Sequence, residues 1–189
     1  MKKQKSNAPV HCSAEYKRTL YHFHSVTKHG WGGTLKEAGA LDSFMFEWAP
    51  DSLLDFGCGK GAMVNMFEQD YSVPLVVGYD PGVRKYMTPD FSRQYEMVCC
   101  NDVLEPVEPA YLDQVMEHIN KLAEKYIWLR IDTVPAKKIL PDGRNAHLIL
   151  QQPEWWKSKI SEHFKGDIVH ENVNKKGKYD VEIEINRST

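Results

Sequence analysis

From residue 52 onward, apolar positions alternate between a strand-like period of two and a helix-like period of about 3.6. Short apolar runs predict four strands, at residues 53–56, 75–79, 97–100 and 126–131. Helical spacing predicts three helices, at residues 62–70, 110–124 and 153–164. Two further alternating runs, at 167–173 and 179–185, predict a hairpin because a polar, glycine-containing turn separates them. This order favours an α/β fold with a mainly parallel sheet flanked by helices and a C-terminal antiparallel hairpin.

The stretch before the first predicted strand has a helical pattern. Apolar residues at helical spacing predict helices at 14–29 and 34–48, and Trp31 lies among glycines in the break between them. We therefore expect a helical cap over residues 13–49, preceded by a flexible basic tail over residues 1–12.

Two connections between predicted strands have unusual lengths. About seventeen residues separate the strands at 75–79 and 97–100, and two prolines interrupt them. This is too short for a further helix and strand, so we expect the sheet to lack one edge strand on that side. The polar segment 133–152 is longer than a minimal connection, and such loops in compact domains are usually functional. We expect it to be a lid-like insertion.

Composition and charge narrow the class of protein. The 189 residues, 42% of them hydrophobic, suffice for one domain with its own core, which we place at 13–189. The net charge of −2 disfavours nucleic acid as a partner, because proteins that bind duplexes are usually basic. Four cysteines without paired spacing, and no signal-like or membrane-spanning apolar run, predict a cytoplasmic protein that does not enter a membrane.

The segment with recognisable chemistry is Asp55-Phe56-Gly57-Cys58-Gly59-Lys60-Gly61. It lies where a predicted strand turns into a helix, and glycines there allow a tight turn and close approach of a ligand. Asp80 follows the next strand, where a carboxylate can accept hydrogen bonds from ribose hydroxyls. An acid two positions before G-x-G-x-G favours S-adenosylmethionine over a dinucleotide, because a carboxylate suits an amino group and repels a pyrophosphate. The alternative is a glycine turn that binds no ligand.

Three motifs in this order resemble motifs I, II and IV of class I S-adenosylmethionine-dependent methyltransferases: DFGCGKG at 55–61, VVGYDPG at 76–82 and CCNDVLEPV at 99–107. The resemblance covers about residues 50–132 and implies a Rossmann-like sheet. A weaker similarity over the rest of the chain, which includes Trp31, is to small and often phage-encoded methyltransferase-domain proteins.

The resemblance also implies which residues contact the cofactor. Asp55 would lie near the amino end of its methionine part, and Asp80 would hold its ribose. Asn101 and Asp102 would lie close to the transferred methyl group. The family's usual adenine-binding loop has no clear counterpart, and residues 91–94 are a candidate substitute. The implied cofactor-binding residues are Trp31, Asp55, Phe56, Gly57, Cys58, Gly59, Gly61, Asp80, Pro81, Asn101 and Asp102.

A general base is needed if the acceptor must lose a proton early in the transfer. Asp102, Asp132 and His147 are the candidates, since they lie at or after the carboxyl ends of predicted strands, where ligands bind in open α/β sheets. Each also suits a structural role: a helix or turn cap for Asp102, a cap of the turn before Pro135 for Asp132, and a loop anchor for His147.

The sequence therefore predicts an enzyme that transfers a methyl group from S-adenosylmethionine to a small-molecule or glycan-like acceptor. Two alternatives remain open: a non-catalytic regulatory module that binds the cofactor, and a nucleic-acid methyltransferase that acts in a complex. Motifs typical of exocyclic-amine and cytosine-C5 methylation do not follow the strand at 97–100, which disfavours nucleobases as acceptors. No metal site is expected, and Lys175, Lys176 and Lys178 are expected to form a solvated hairpin tip. No pattern indicates an oligomeric state.

Overall fold

Strands and helices alternate along most of the chain in the computed structural model, which describes residues 10–26 and 39–185. The strands are β1 (Ser52–Phe56), β2 (Leu75–Tyr79), β3 (Tyr95–Asn101), β4 (Ala123–Asp132), β5 (Asp167–Val173) and β6 (Lys178–Glu184). The helices are α1 (Ala14–Val26), α2 (Gly39–Trp48), α3 (Ala62–Gln69), α4 (Leu112–Leu122) and α5 (Pro153–His163).

These six strands form one sheet in the spatial order β2-β1-β3-β4-β6-β5. β2, β1, β3 and β4 are parallel, whereas β6 is antiparallel to both β4 and β5. β1 is buried along its whole length, as expected for a parallel strand that is covered on both faces. The predicted α/β fold, with a mainly parallel sheet and a C-terminal antiparallel hairpin, is confirmed.

Helices cover both faces of the sheet, and each face has its own apolar core. α2 and α3 pack on one face around the fully buried Phe67 and Trp128. α4 and α5 pack on the other face, where Ile119 and Trp156 are buried. Within the described ranges, no helix is both long and apolar enough to cross a membrane.

The sheet ends at β2 within the described residues, as expected from the short connection that follows this strand. Only one turn of 3-10 helix, Arg84–Tyr86, lies between β2 and β3. The rings of His11 and Phe91 pack against Tyr79 beside this strand, and the His118 ring packs against both of them.

The expectation of a flexible tail over residues 1–12 is wrong for His11, which is buried. Its Nδ1 lies 2.5 Å from the hydroxyl oxygen of Tyr79, and its Nε2 lies 2.7 Å from Nδ1 of His118. These contacts anchor the chain just before α1. Residues 1–9 lie outside the described residues.

Helix α1 packs across the carboxyl ends of the parallel strands. It begins after Ser13, whose hydroxyl accepts the amide hydrogen of Tyr16 at 3.0 Å, as an N-cap does. Leu20 contacts Gly82 closely, because a Cβ on that glycine would lie 2.7 Å from the Leu20 side chain. Tyr16 and Leu20 also pack with Leu140, which places part of segment 133–152 against this helix.

Candidate active site

The loop after β1 is shaped by three glycines with left-handed backbone angles. Gly57, Gly59 and Gly61 have φ values of 85°, 53° and 83°. Gly57 also has no room for a side chain, because a Cβ there would lie 2.2 Å from Cγ2 of Val103. Its amide donates to the carbonyl oxygen of Tyr79 at 2.7 Å. The loop therefore lies fixed against the end of β2.

Asp55 lies on β1, immediately before this loop, and only 2% of it is exposed. Its Oδ2 is buried and has no hydrogen-bond partner among the described residues. Burial, followed by the nearby charge of Asp80, raises the pKa of Asp55 to about 7. Leaving a buried carboxylate oxygen unpaired is costly, so this position suits a ligand that brings a cation or a hydrogen-bond donor.

Asp80 follows β2, and its buried carboxylate connects three parts of the chain. Oδ2 accepts the amide hydrogen of Gly59 at 3.0 Å, and Oδ1 accepts that of Gly82 at 2.7 Å. Nε2 of His24, on α1, lies 3.8 Å from Oδ1. Burial raises the pKa of Asp80, while His24 and the two amides oppose that shift. We call residues 55–61 and 80–82 the glycine-loop half of the site.

The end of β3 brings two further candidates to the same edge of the sheet. Oδ1 of Asn101 is buried without a hydrogen-bond partner among the described residues. Asp102 has a positive φ of 54°, a left-handed conformation that Asp and Asn tolerate better than most residues. The amide of Asp102 donates to the carbonyl oxygen of Arg130, on β4, at 2.8 Å.

Lys178 connects two of the residues that were predicted as general bases. Its Nζ lies 2.9 Å from both carboxylate oxygens of Asp102 and 2.8 Å from Oδ2 of Asp132. Because β6 is antiparallel to β4, the first residue of β6 is the cross-strand partner of Asp132 at the carboxyl end of β4. The expectation of a solvated lysine is therefore wrong for Lys178, which is half-buried between the two carboxylates.

Glu105 is a site residue that the sequence analysis missed. It is fully buried, its Oε1 accepts the amide hydrogen of Asp132 at 3.0 Å, and its Oε2 has no hydrogen-bond partner among the described residues. Burial and then the charge of Asp102 raise its pKa well above the usual value. The motif that resembles motif IV contains Glu105, and its position after a buried strand end was the available signal. We call Asp102, Glu105, Asp132 and Lys178 the carboxylate half of the site.

His147, the third candidate base, lies in segment 133–152 and contacts both the start of that segment and the carboxylate half. Its Nδ1 lies 2.7 Å from the carbonyl oxygen of Val134, and its Nε2 lies 3.9 Å from Oε1 of Glu105. The contact with Val134 is one that a loop anchor makes. Asp132 likewise accepts the amide hydrogen of Val134, at 3.3 Å, as a turn cap does.

The remaining implied cofactor contacts lie in different surroundings. The Phe56 ring is buried in the core between the sheet and α4. Cys58 is buried beside Tyr86, and Pro81 is half-buried next to Asp80. Trp31 lies outside the described residues.

The expected adenine-binding substitute at residues 91–94 is wrong for Gln94. Its side-chain amide donates to the carbonyl oxygen of Lys121 at 2.7 Å, just before β4 begins. Since β3 and β4 are parallel, Gln94 lies at the amino edge of the sheet, away from Asp80. Phe91 packs instead in the ring cluster with His11.

Comparison with known proteins agrees with this arrangement. A family model described as "Methyltransferase domain" matches residues 20–171, which is most of the chain. Among curated protein sequences, none matches significantly. The similarity to phage-encoded proteins stays a prediction.

Several solved structures have the same fold. Magnesium protoporphyrin IX methyltransferase from Synechocystis PCC 6803, with bound S-adenosylmethionine, is 14% identical with a TM-score of 0.63, and the match covers 94% of this chain and 100% of that one. The 1,6-didemethyltoxoflavin-N1-methyltransferase of Burkholderia thailandensis, with bound 1,6-didemethyltoxoflavin and S-adenosylhomocysteine, is also 14% identical with a TM-score of 0.63, covering 96% and 93%. An S-adenosylmethionine-dependent methyltransferase from Clostridium acetobutylicum is 10% identical with a TM-score of 0.57, covering 90% and 98%. At these identities the likeness shows the fold, and the family model shows the family. The chain belongs to the methyltransferase-domain family, which confirms the enzyme class predicted from its sequence.

Proposed function

We propose that this methyltransferase transfers the methyl group of S-adenosylmethionine to an N–H or O–H group of a small-molecule or glycan-like acceptor. The observation that carries the proposal is the unpartnered Oδ2 of the buried Asp55 beside a glycine loop of fixed shape. An α-ammonium group would satisfy that oxygen, whereas a pyrophosphate would be repelled by it.

The glycine-loop half supplies the cofactor contacts in this proposal. Asp55 would bind the ammonium of the methionine part, and the backbone of residues 57–61 would contact that part. Asp80 accepts hydrogen bonds from the ribose hydroxyls with the lone pairs that the amides of Gly59 and Gly82 leave available. These residues fit the cofactor because they combine an unpaired buried acceptor with a preorganised backbone.

The carboxylate half supplies the acceptor contacts. When bound, S-adenosylmethionine would supply a methyl group on a sulfonium sulfur, and the neutral thioether would be the leaving group as an acceptor nitrogen or oxygen bonds to the methyl carbon. Asp102, at the end of β3, accepts a hydrogen bond from the acceptor's N–H or O–H group and receives its proton. Asp132 orients Asp102 through their shared contact with Lys178, and His147 anchors segment 133–152 beside them. Positioning of this kind accounts for much of the rate in a direct displacement.

Two observations support a small acceptor over a nucleic acid. The net charge of −2 and the acidic carboxylate half disfavour binding of phosphate backbones. Two structures with this fold are named as methyltransferases of magnesium protoporphyrin IX and of 1,6-didemethyltoxoflavin, which are both small molecules.

Isothermal titration of the purified protein tests the proposal. We expect binding of S-adenosylmethionine and S-adenosylhomocysteine in the micromolar range and no binding of NAD. Absence of binding to both sulfur compounds would overturn the choice of methyl donor. A panel of small alcohols, phenols and amines, with release of S-adenosylhomocysteine as the readout, then tests turnover. Binding without turnover on any acceptor would favour the non-catalytic regulatory module.

A further inference from the structure

Lys178 is a half-buried cation in the candidate active site. It belongs to none of the three motifs and to none of the proposed cofactor contacts. Its Nζ lies within 2.9 Å of both oxygens of Asp102 and 2.8 Å from Oδ2 of Asp132. These contacts place the ammonium group between the two carboxylates, as a donor to both. Its side chain is 24% exposed, so water screens this pair less than it screens a surface ion pair.

Backbone contacts hold Lys178 in this position. The Lys178 amide donates to Oδ1 of Asn174 within the hairpin turn, at 3.2 Å. The same turn is joined to the residue after β4, because the amide of Thr133 donates to the carbonyl oxygen of Gly177 at 2.8 Å. Gly177 has a φ of 78°, and a Cβ there would lie 2.8 Å from Val134. A turn of fixed shape thus holds the ammonium next to Asp102.

Charged groups from three elements surround the Asp102 carboxylate. Lys178 comes from β6, Asp132 and Arg130 come from β4, and Glu105 comes from the loop after β3. Burial raises the pKa of Asp102, and the charge of Lys178 is the strongest effect that opposes this shift. Asp132 acts in the same direction as burial, whereas Arg130 acts with Lys178.

We infer that Lys178 is a positioning residue that fixes the Asp102 carboxylate at the end of β3 and favours its ionised form. The inference rests on the proposed function for its catalytic meaning, because an ionised Asp102 is what an acceptor N–H or O–H group requires there. The same contacts favour an acceptor without negative charge. Lys178 is already committed to two carboxylates, so an anionic acceptor would meet net negative charge at this position.

The direct test is the titration of Asp102 followed by carbon NMR of aspartate carboxyl groups, with the Asp102 signal assigned from Asp102→Asn. In Lys178→Met we expect the midpoint to rise by about 1–3 pH units, the size of effect that an adjacent opposite charge has. Lys178→Arg should keep the midpoint close to that of the wild type. Lys175→Met is the matched control, since it removes an exposed lysine from the same hairpin and should leave Asp102 unchanged.

An unchanged midpoint in Lys178→Met would overturn the inference. If that variant does not fold, Lys178→Gln keeps an N–H donor without the charge and is measured in the same way. The NMR titration needs neither cofactor nor acceptor, so it is independent of the proposed function. A protein that fails to bind S-adenosylmethionine but shows the Asp102 shift would overturn the proposed function alone.

Discussion

The two halves of the site are built by different means. In the glycine-loop half, Asp80 reaches the Gly59 amide across a sequence separation of 21 residues, and backbone groups make most of the contacts. In the carboxylate half, Lys178 reaches Asp102 across 76 residues, and charged side chains make the contacts. The first half therefore depends on the shape of one strand–loop–helix unit. The second depends on the register between strands that lie far apart in the sequence.

This difference predicts where each half is vulnerable. Glycines with positive φ fix the backbone of the first half, so added side chains should damage it more than changes of charge. Compensating charges hold the second half, so loss of one charge should shift the titration of the others.

Gly57→Ala should lower the free energy of unfolding by about 2–6 kcal/mol, combining left-handed strain with overpacking. All three side-chain carbons of Val103 lie within 3.0 Å of the added Cβ, so rotation of that side chain does not relieve the clash. Gly143→Ala is the control, because Gly143 has a φ of 87° but open space around it. Chemical denaturation should show a clearly smaller loss there. Equal losses would mean that strain alone, without the contact to Val103, limits the loop.

Asp55→Asn should weaken binding of S-adenosylmethionine by about 2–4 kcal/mol, or roughly thirty-fold to a thousand-fold, because it removes the charge that faces the ammonium. The free protein should become no less stable above pH 7, since the folded state already disfavours the charged form of Asp55. Calorimetric titration measures the first effect and thermal denaturation the second. Asp70→Asn, on an exposed residue, is the control. Unchanged affinity in Asp55→Asn would place the ammonium elsewhere.

Asp80→Asn should weaken binding by about 1–3 kcal/mol, as expected when a partner of buried ligand hydroxyls is lost. Asparagine keeps one acceptor oxygen, which can serve the amide of Gly59 or that of Gly82 but not both, so the loop should keep part of its attachment and stay folded. Asp80→Ala would leave both amides unpaired and should therefore also lower stability. If the two variants have the same affinity for S-adenosylmethionine and the same stability, the Asp80 carboxylate does not hold the amides of Gly59 and Gly82.

Local sequence pattern predicted the glycine-loop half well. The acid, the three glycines and the second acid lie at strand ends that apolar runs already mark, so the parallel sheet brings them to one edge. The shortened connection after β2 was also predictable from its length and prolines. The covering of this end by His11 was not, because an isolated histidine in a polar stretch gives no periodic signal.

The carboxylate half was predicted only in part. Asp102 and Asp132 could be placed at strand ends, but the role of Lys178 depends on the antiparallel register between β4 and β6. A lysine next to a glycine turn ordinarily indicates a solvated tip, and the long-range pairing overrides that pattern here. Glu105 was missed for a similar reason, since its burial comes from contacts with Asp132 and Ile149 rather than from its neighbours in sequence.

The smallest expected effect is on the pH dependence of the affinity for S-adenosylmethionine. This dependence should arise from Asp55, in the glycine-loop half. The pKa of Asp55 in the folded protein is about 7, above its usual value of 3.8. A raised pKa of an acid means that this group lowers the stability of the free protein as pH rises from 3.8 to 7, with no further change above 7. Binding an ammonium requires the ionised form. The affinity for S-adenosylmethionine should therefore fall by up to about tenfold per pH unit below pH 7.

Calorimetry in buffers of different ionisation enthalpy measures the linked protons directly. At pH 6 the wild-type protein should release close to one proton when S-adenosylmethionine binds, because Asp55 must ionise. In Asp55→Asn both this release and the fall in affinity below pH 7 should disappear, whereas Lys178→Met should retain them. A proton release that depends on Lys178 instead would show that the two halves titrate as one unit, and the contrast between them would not hold.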